Sequence, residues 1–61
     1  MQRDKRAENL KKNERVYFAN KTLVVNSVNP FTEGGLRKVR VSFKGFRDVE
    51  FNHDQLVTVI D

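Results

Sequence analysis

The sequence has no cysteine, no tryptophan, one histidine, one proline and three glycines in 61 residues. Without thiols no disulfide can cross-link the fold, and the usual soft ligands of a structural zinc site are missing. One histidine and scattered carboxylates make a poor donor set, so no metal and no cofactor is implied. No apolar run approaches the roughly 18–20 residues that a membrane span needs. The N-terminus is charged from Arg3 onward and has no apolar leader, so the expected location is cytoplasmic. A chain this short buries a smaller share of its surface than a larger domain does, which argues against an enzyme built around a deep pocket. The expected class is a small, non-enzymatic binding module.

Positive charge is abundant. Twelve Lys and Arg stand against eight Asp and Glu, a formal net charge of +4. The excess lies in residues 1–21, which carry Arg3, Lys5, Arg6, Lys11, Lys12, Arg15 and Lys21 against Asp4, Glu8 and Glu14. The remainder is neutral but segregated. Leu36 to Arg47 holds Arg37, Lys38, Arg40, Lys44 and Arg47 with no acid, and Asp48 to Asp61 holds Asp48, Glu50, Asp54 and Asp61 with no Lys or Arg. Such separation can create a field even when the sum is zero. In the alternative reading, the opposite charges face one another across neighbouring strands.

Residues 1–14 form a distinct segment. Gln2 to Glu14 is composed mostly of good or neutral helix formers, and Glu8 precedes Lys12 by four, the favourable order on a helix face. Only Ala7 and Leu10 are apolar, too few for a wide stripe. The expectation is a basic N-terminal helix or arm, either a reach for a polyanion or a solubilising tail.

From Arg15 the period changes to two. Val16 and Phe18 alternate with Arg15 and Tyr17, and Asn20-Lys21 offers a turn. Thr22 to Val28 reads as a strand that Asn29-Pro30 breaks, with Thr32 to Gly35 as loop. Leu36 to Lys44 alternates most clearly: Val39, Val41 and Phe43 point one way, Lys38, Arg40, Ser42 and Lys44 the other. Gly45 marks a turn, and Arg47 to Asn52 repeats the alternation. His53 to Leu56 suits one 3₁₀ turn, and Val57 to Asp61 closes the chain. The expected interior is Val16, Phe18, Leu23, Val25, Val28, Val39, Val41, Phe43, Val49, Phe51, Leu56 and Val59. An open flat sheet of this composition would leave adhesive edges, which closure into a barrel limits.

Four strands, a one-turn 3₁₀ element and a short last strand resemble the SH3-like barrel superfold. The stretch VRVSFKGFRDVEFNHDQLVTV resembles the end of small Tudor- and KOW-like domains, where a twisted hairpin leads to a turn ending in Leu and a Val-rich closing strand. The likeness covers residues 15–61. It implies an all-β, five-stranded SH3-like barrel over 15–61 after the segment 1–14, and the KOW resemblance implies a nucleic-acid role. SH3-like barrels host many functions, so function must be argued from the surface.

Catalysis has little to stand on. His53 beside Asp54 reads as a turn pair rather than a dyad, and Ser27 and Ser42 lie on strands without a signature. Gly34-Gly35 is a loop, not a phosphate cradle. Asn20-Lys21-Thr22 fits a glycosylation pattern and Asn29-Pro30-Phe31 an endocytic tripeptide; chance explains the first and an Asn-Pro turn the second. The basic strand face is the better candidate. Arg37, Lys38, Arg40, Lys44 and Arg47 would hold phosphates, Tyr17 and Phe46 would stack on bases, and Arg3, Lys5, Arg6, Lys11 and Lys12 would add reach. Phe46, following Gly45, could instead fold over the barrel end. The leading expectation is therefore a nucleic-acid (DNA or RNA) binder, an accessory or regulator in transcription or RNA metabolism. The alternative is a protein-interaction module or small subunit docked on a larger complex, where Tyr and Arg anchors also dominate. The small core leaves room for stabilisation by a partner or as a homo-oligomer.

Overall fold

The computed structural model describes residues 2–60. Six strands form one antiparallel sheet: β1 (Gln2–Arg6), β2 (Arg15–Phe18), β3 (Lys21–Glu33), β4 (Leu36–Phe43), β5 (Val49–Asn52) and β6 (Leu56–Ile60), in the spatial order β1-β6-β2-β3-β4-β5. A 3₁₀ turn (Ala7–Asn9) follows β1. The expected end of the last strand, Asp61, lies outside the described residues, as does Met1.

The sheet is strongly curled. Phe18 on β2 packs edge-to-face on Phe51 of β5 with ring centroids 5.6 Å apart. In a flat sheet, strands three places apart are about 14 Å from one another. A register shift between Val25 and Ser27 of β3 supplies the bend, and the long strand serves both halves of the sheet. The 3₁₀ turn draws the far edges together. Ala7 N–H donates to the Gln55 carbonyl at 2.8 Å, Glu8 N–H to that of His53 at 3.3 Å, and His53 N–H to that of Arg37 at 3.2 Å. Enclosed within the curl are Ala7, Leu10, Val16, Leu23, Val25, Val39, Val41, Phe43, Phe51, Val57 and Val59, with Phe18, Val28, Phe46 and Val49 packed against them.

Five expectations are corrected, the last of them the position of the β2–β3 turn. The sheet has six strands, not five, because Gln2–Arg6 is a strand and not a helix. That strand carries no apolar side chain, so no periodicity announces it. Its ladder to β6 sets Arg3 and Lys5 opposite the buried Val59 and Val57, and inward-pointing charge is a common protection of an edge. Second, β3 runs through Asn29-Pro30 to Glu33. Beyond Val25 it has a neighbour, β4, on one side only, where a missing donor is tolerated. Third, Leu56 is 62% exposed and Val57 is buried in its place. Residues three apart on one continuous strand face opposite ways, so Leu56 and Val59 could not both point inward. Fourth, residues 53–56 form no 3₁₀ element; the Gln55 N–H closes a β-turn on the Asn52 carbonyl at 3.0 Å, and β6 begins at Leu56.

The β2–β3 turn falls at Ala19-Asn20 rather than Asn20-Lys21. Both residues have positive φ, 54° and 61°, as a two-residue hairpin joining Phe18 to Lys21 demands. Asparagine accepts this conformation readily and alanine does not.

Candidate nucleic-acid interface

Each cation can be placed by what surrounds it. On the outer face of β4, Arg40 lies directly across from Glu50 of β5 and donates to its Oε2 at 2.7 Å. This hydrogen bond, together with the Glu50 charge, raises the Arg40 pKa above its ordinary value. Its guanidinium also sits 5.5 Å from the centre of the Phe31 ring. Lys38 reaches Glu33 at 3.6 Å, and Arg37 reaches Glu8 at 3.5 Å. Three members of the expected phosphate row thus have acidic neighbours, two of them (Glu33 and Glu50) across neighbouring strands and one (Glu8) in the 3₁₀ turn.

The N-terminal cations are engaged in the same way. Glu14, with its side chain only 16% exposed, lies beneath β1 and accepts from Lys5 Nζ at 3.0 and 3.1 Å and from the Lys11 N–H at 2.7 Å, with Arg3 at 3.8 Å. Burial works to raise the Glu14 pKa. The Lys5 and Lys11 hydrogen bonds, and the charges of Lys5 and Arg3, outweigh it and bring the pKa below the ordinary value. Glu14 therefore contributes stability that is fully present above the unfolded-state carboxylate pKa of about 4.3 and is lost as pH falls through the lower folded value. In urea titrations the midpoint should fall as pH drops below about 4.5. Glu14→Gln should start lower at neutral pH and lose that part of the acid dependence. Equal acid sensitivity in the two proteins would contradict this role.

Arg6 lies 3.8 Å from Glu8, and His53 Nδ1 is 3.3 Å from the same carboxylate. The ring thus contacts Glu8 of the 3₁₀ turn, 45 residues away in sequence, and not only its expected turn neighbour Asp54. Together Glu8, Arg37 and His53 border a shallow hollow of about 180 Å³ with Phe31 and Thr32. No group of three or more metal-ligating side chains occurs among the described residues, and no helix among them is long and apolar enough to cross a membrane.

The other cations gather elsewhere. Lys11, Lys12, Arg15, Lys21, Lys44 and Arg47 form no ion pair among the described residues. The loop carrying Lys11 and Lys12 is fastened to the bend of β3, where Asn13 N–H donates to the Val25 carbonyl at 2.8 Å and Val25 N–H to that of Glu14 at 2.9 Å. Lys44 is tied to the same place from the other side. Its N–H donates to the Val24 carbonyl at 2.9 Å, and its Nζ reaches Asn13 Oδ1 at 3.4 Å. One residue on, Gly45 takes φ +71° and turns Phe46 back over the core, edge-to-face with Phe43 at 6.5 Å. Phe46 thus folds over the barrel end. Its ring carries two cations, Arg47 at 5.0 Å and Lys21 at 5.6 Å from its centre. The result is a continuous basic strip from the Lys11–Lys12 loop across β3 to the mouth of the curl.

Of the expected contact residues, the structure brings Lys11, Lys12, Lys44, Arg47 and Phe46 to this strip. It places Lys38 and Arg40 on the outer face of β4, Arg37 on the parity of the buried Val39 and Val41 beside Glu8 of the 3₁₀ turn, and Arg3, Lys5 and Arg6 along β1. Tyr17, 47% exposed, lies on the outer face with its hydroxyl 3.4 Å from Asn20 Oδ1. Arg15 and Lys21 were not among the expected site residues. Arg15 could have been found from its alternation with the inward Val16; Lys21 carried no signal, because it belongs to the strip only through the Phe46 ring.

No protein-family model matches the sequence, and no curated protein is significantly similar to it. Among solved structures the fold is similar to that of a translation initiation factor eIF-5A family protein from Naegleria fowleri. The TM-score is 0.81 at 18% identity, over 98% of this chain and 47% of that one. The likeness establishes a small, barrel-like all-β fold, and the chain spans less than half the length of that relative.

Proposed function

We propose that this chain is a non-enzymatic nucleic-acid-binding module that holds the phosphate backbone on the strip of Lys11, Lys12, Lys44, Lys21 and Arg47, with Arg15 beside it. The observation that carries the reading is the distribution of partners. Acids satisfy the cations of β1 and the β4 face, while the strip presents charge without a carboxylate partner among the described residues. Neutralising phosphates with such groups releases counterions and gives affinity without sequence preference. The Tudor- and KOW-like pattern of residues 15–61 supports the same reading. The fold shared with part of a translation initiation factor favours RNA metabolism, translation in particular, over transcription as the setting.

Fluorescence anisotropy with labelled RNA and DNA at several salt concentrations tests the proposal. Binding should weaken with a log–log slope of about 0.7 to 0.9 per phosphate contacted. Absence of binding at low salt would reject it. Retention of a protein partner after nuclease treatment would then favour the second reading, a small docking subunit, to which the exposed Leu36 and Leu56 lend support.

A further inference from the structure

The outer face of β6, β2 and β3 adjoins the basic strip and differs from it in kind. Strand register lays it out in rows. Ile60 lies across from Arg15, and Arg15 across from Val24; Thr58 lies across from Tyr17, and Tyr17 across from Thr22. Directly opposed residues share a face, and this face is the outer one, because the alternating residues Val16, Leu23, Val25, Val57 and Val59 are buried. Tyr17 stands at its centre, flanked by threonines, with β-branched Val24 and Ile60 one row away. Over these rows the face carries a single charge, that of Arg15. Past Val24, Lys44 crosses β3 to reach Asn13, so the apolar rows run into the strip without a gap. The opposite border is different: on β1, Asp4 lies across from Thr58 and accepts its hydroxyl at 3.2 Å.

We infer that this face is a stacking platform for unpaired bases, and that the preferred ligand is therefore a single-stranded nucleic acid. The inference rests on the nucleic-acid reading above and adds the polymer class and a second set of contacts. A duplex offers its phosphates but keeps its base faces stacked internally. A single strand offers both, and an exposed aromatic ring beside Arg is the physics of single-strand recognition. Phe46 is unsuited to that role, since Lys21 and Arg47 already lie over its ring and Phe43 packs on it; its part is to position the two cations. Charge complementarity orients the ligand. The backbone lies along Arg15, Lys44 and the Lys11–Lys12 loop, away from Asp4, and a base comes down on Tyr17.

The chain itself supplies the probe, because Tyr17 is its single tyrosine and there is no tryptophan. Titration with oligo-U RNA, oligo-dT DNA and a mixed-sequence duplex is followed both by anisotropy and by tyrosine fluorescence. Both single strands should bind at least tenfold more tightly than the duplex and quench Tyr17. Equal affinity of the RNA and DNA strands assigns recognition to phosphate and base alone, and an RNA preference adds the 2′-hydroxyl; either supports the platform. Tyr17→Ala should weaken single-strand binding by about five- to a hundredfold, and Tyr17→Phe, which keeps the ring, should restore it. Circular dichroism of Tyr17→Ala checks that the sheet is retained. Equal affinity for strand and duplex without quenching overturns the platform while leaving the nucleic-acid reading intact. No binding to any of the three overturns both.

Discussion

Replacing Lys12 and Lys44 together by alanine is expected to lower affinity for an RNA strand by about 25-fold at 0.1 M salt. The figure follows from counterion release. Each phosphate contact to a single strand contributes about 0.7 to the log–log salt slope, so at 0.1 M it is worth about fivefold, and two contacts multiply. The slope itself should fall by about 1.4. Lys38→Gln with Arg40→Gln removes the same formal charge and should change affinity less than twofold. Those side chains already lie beside Glu33 and Glu50, and the double change leaves the acids behind, so the local field alters with little loss of phosphate contact. If the second pair costs as much as the first, the carboxylate partners do not decide which cations bind; if only the second pair costs affinity, the β4 row is the interface and the strip is not. The comparison is informative because both double variants have the same net charge, which removes non-specific attraction as an explanation.

The contrast between those pairs shows what could be read from residues alone. Alternation along Leu36–Phe43 was visible, and the inward set Val39, Val41 and Phe43 is buried as that pattern requires. Which cations keep a carboxylate partner was not visible, because it depends on register. Arg40 meets Glu50 only because β4 and β5 pair with Val41 opposite Val49, a single offset that the sequence leaves open. Lys44 and Arg47 differ from Lys38 and Arg40 in lying beyond the last residues paired between those strands. Their segment pairs with backbone or aromatic groups, so their charge stays available.

The N-terminal strand was hidden for a related reason. Its composition satisfies helix propensity, yet propensity is weak beside a backbone ladder and a half-buried ion cluster. Glu14 does the organising. It draws Lys5 and Arg3 to the inner side of an edge strand, and Ala7 and Leu10 then enter the core. The sequence offers Ala7 and Leu10 as isolated apolar points; only their closure over the sheet end makes them interior. Leu56 fails in the opposite direction, a large apolar residue placed outside because Val57 and Val59 already set the strand's parity.

That parity yields the largest effect expected on stability. Phe51→Ala removes the ring that bridges β5 to Phe18 on β2, and truncation of a buried phenylalanine costs about 3–5 kcal/mol. A domain of this length has a total stability of about 3–9 kcal/mol at 0.05–0.15 kcal/mol per residue. The variant should therefore lose most of its cooperative urea transition at 25 °C. Phe51→Leu, which refills part of the volume, should recover it. Leu56→Ala, on the sheet's outer side, should shift stability by no more than about 0.5 kcal/mol. Far-UV circular dichroism in urea measures all three. Equal losses for Phe51→Ala and Leu56→Ala would mean that Leu56 is interior and that β6 is set one residue out of register, which would turn Thr58 and Ile60 inward and dismantle the outer rows around Tyr17. The stability series thus tests the same strand parity on which the placement of Tyr17, Arg15 and the adjoining strip depends.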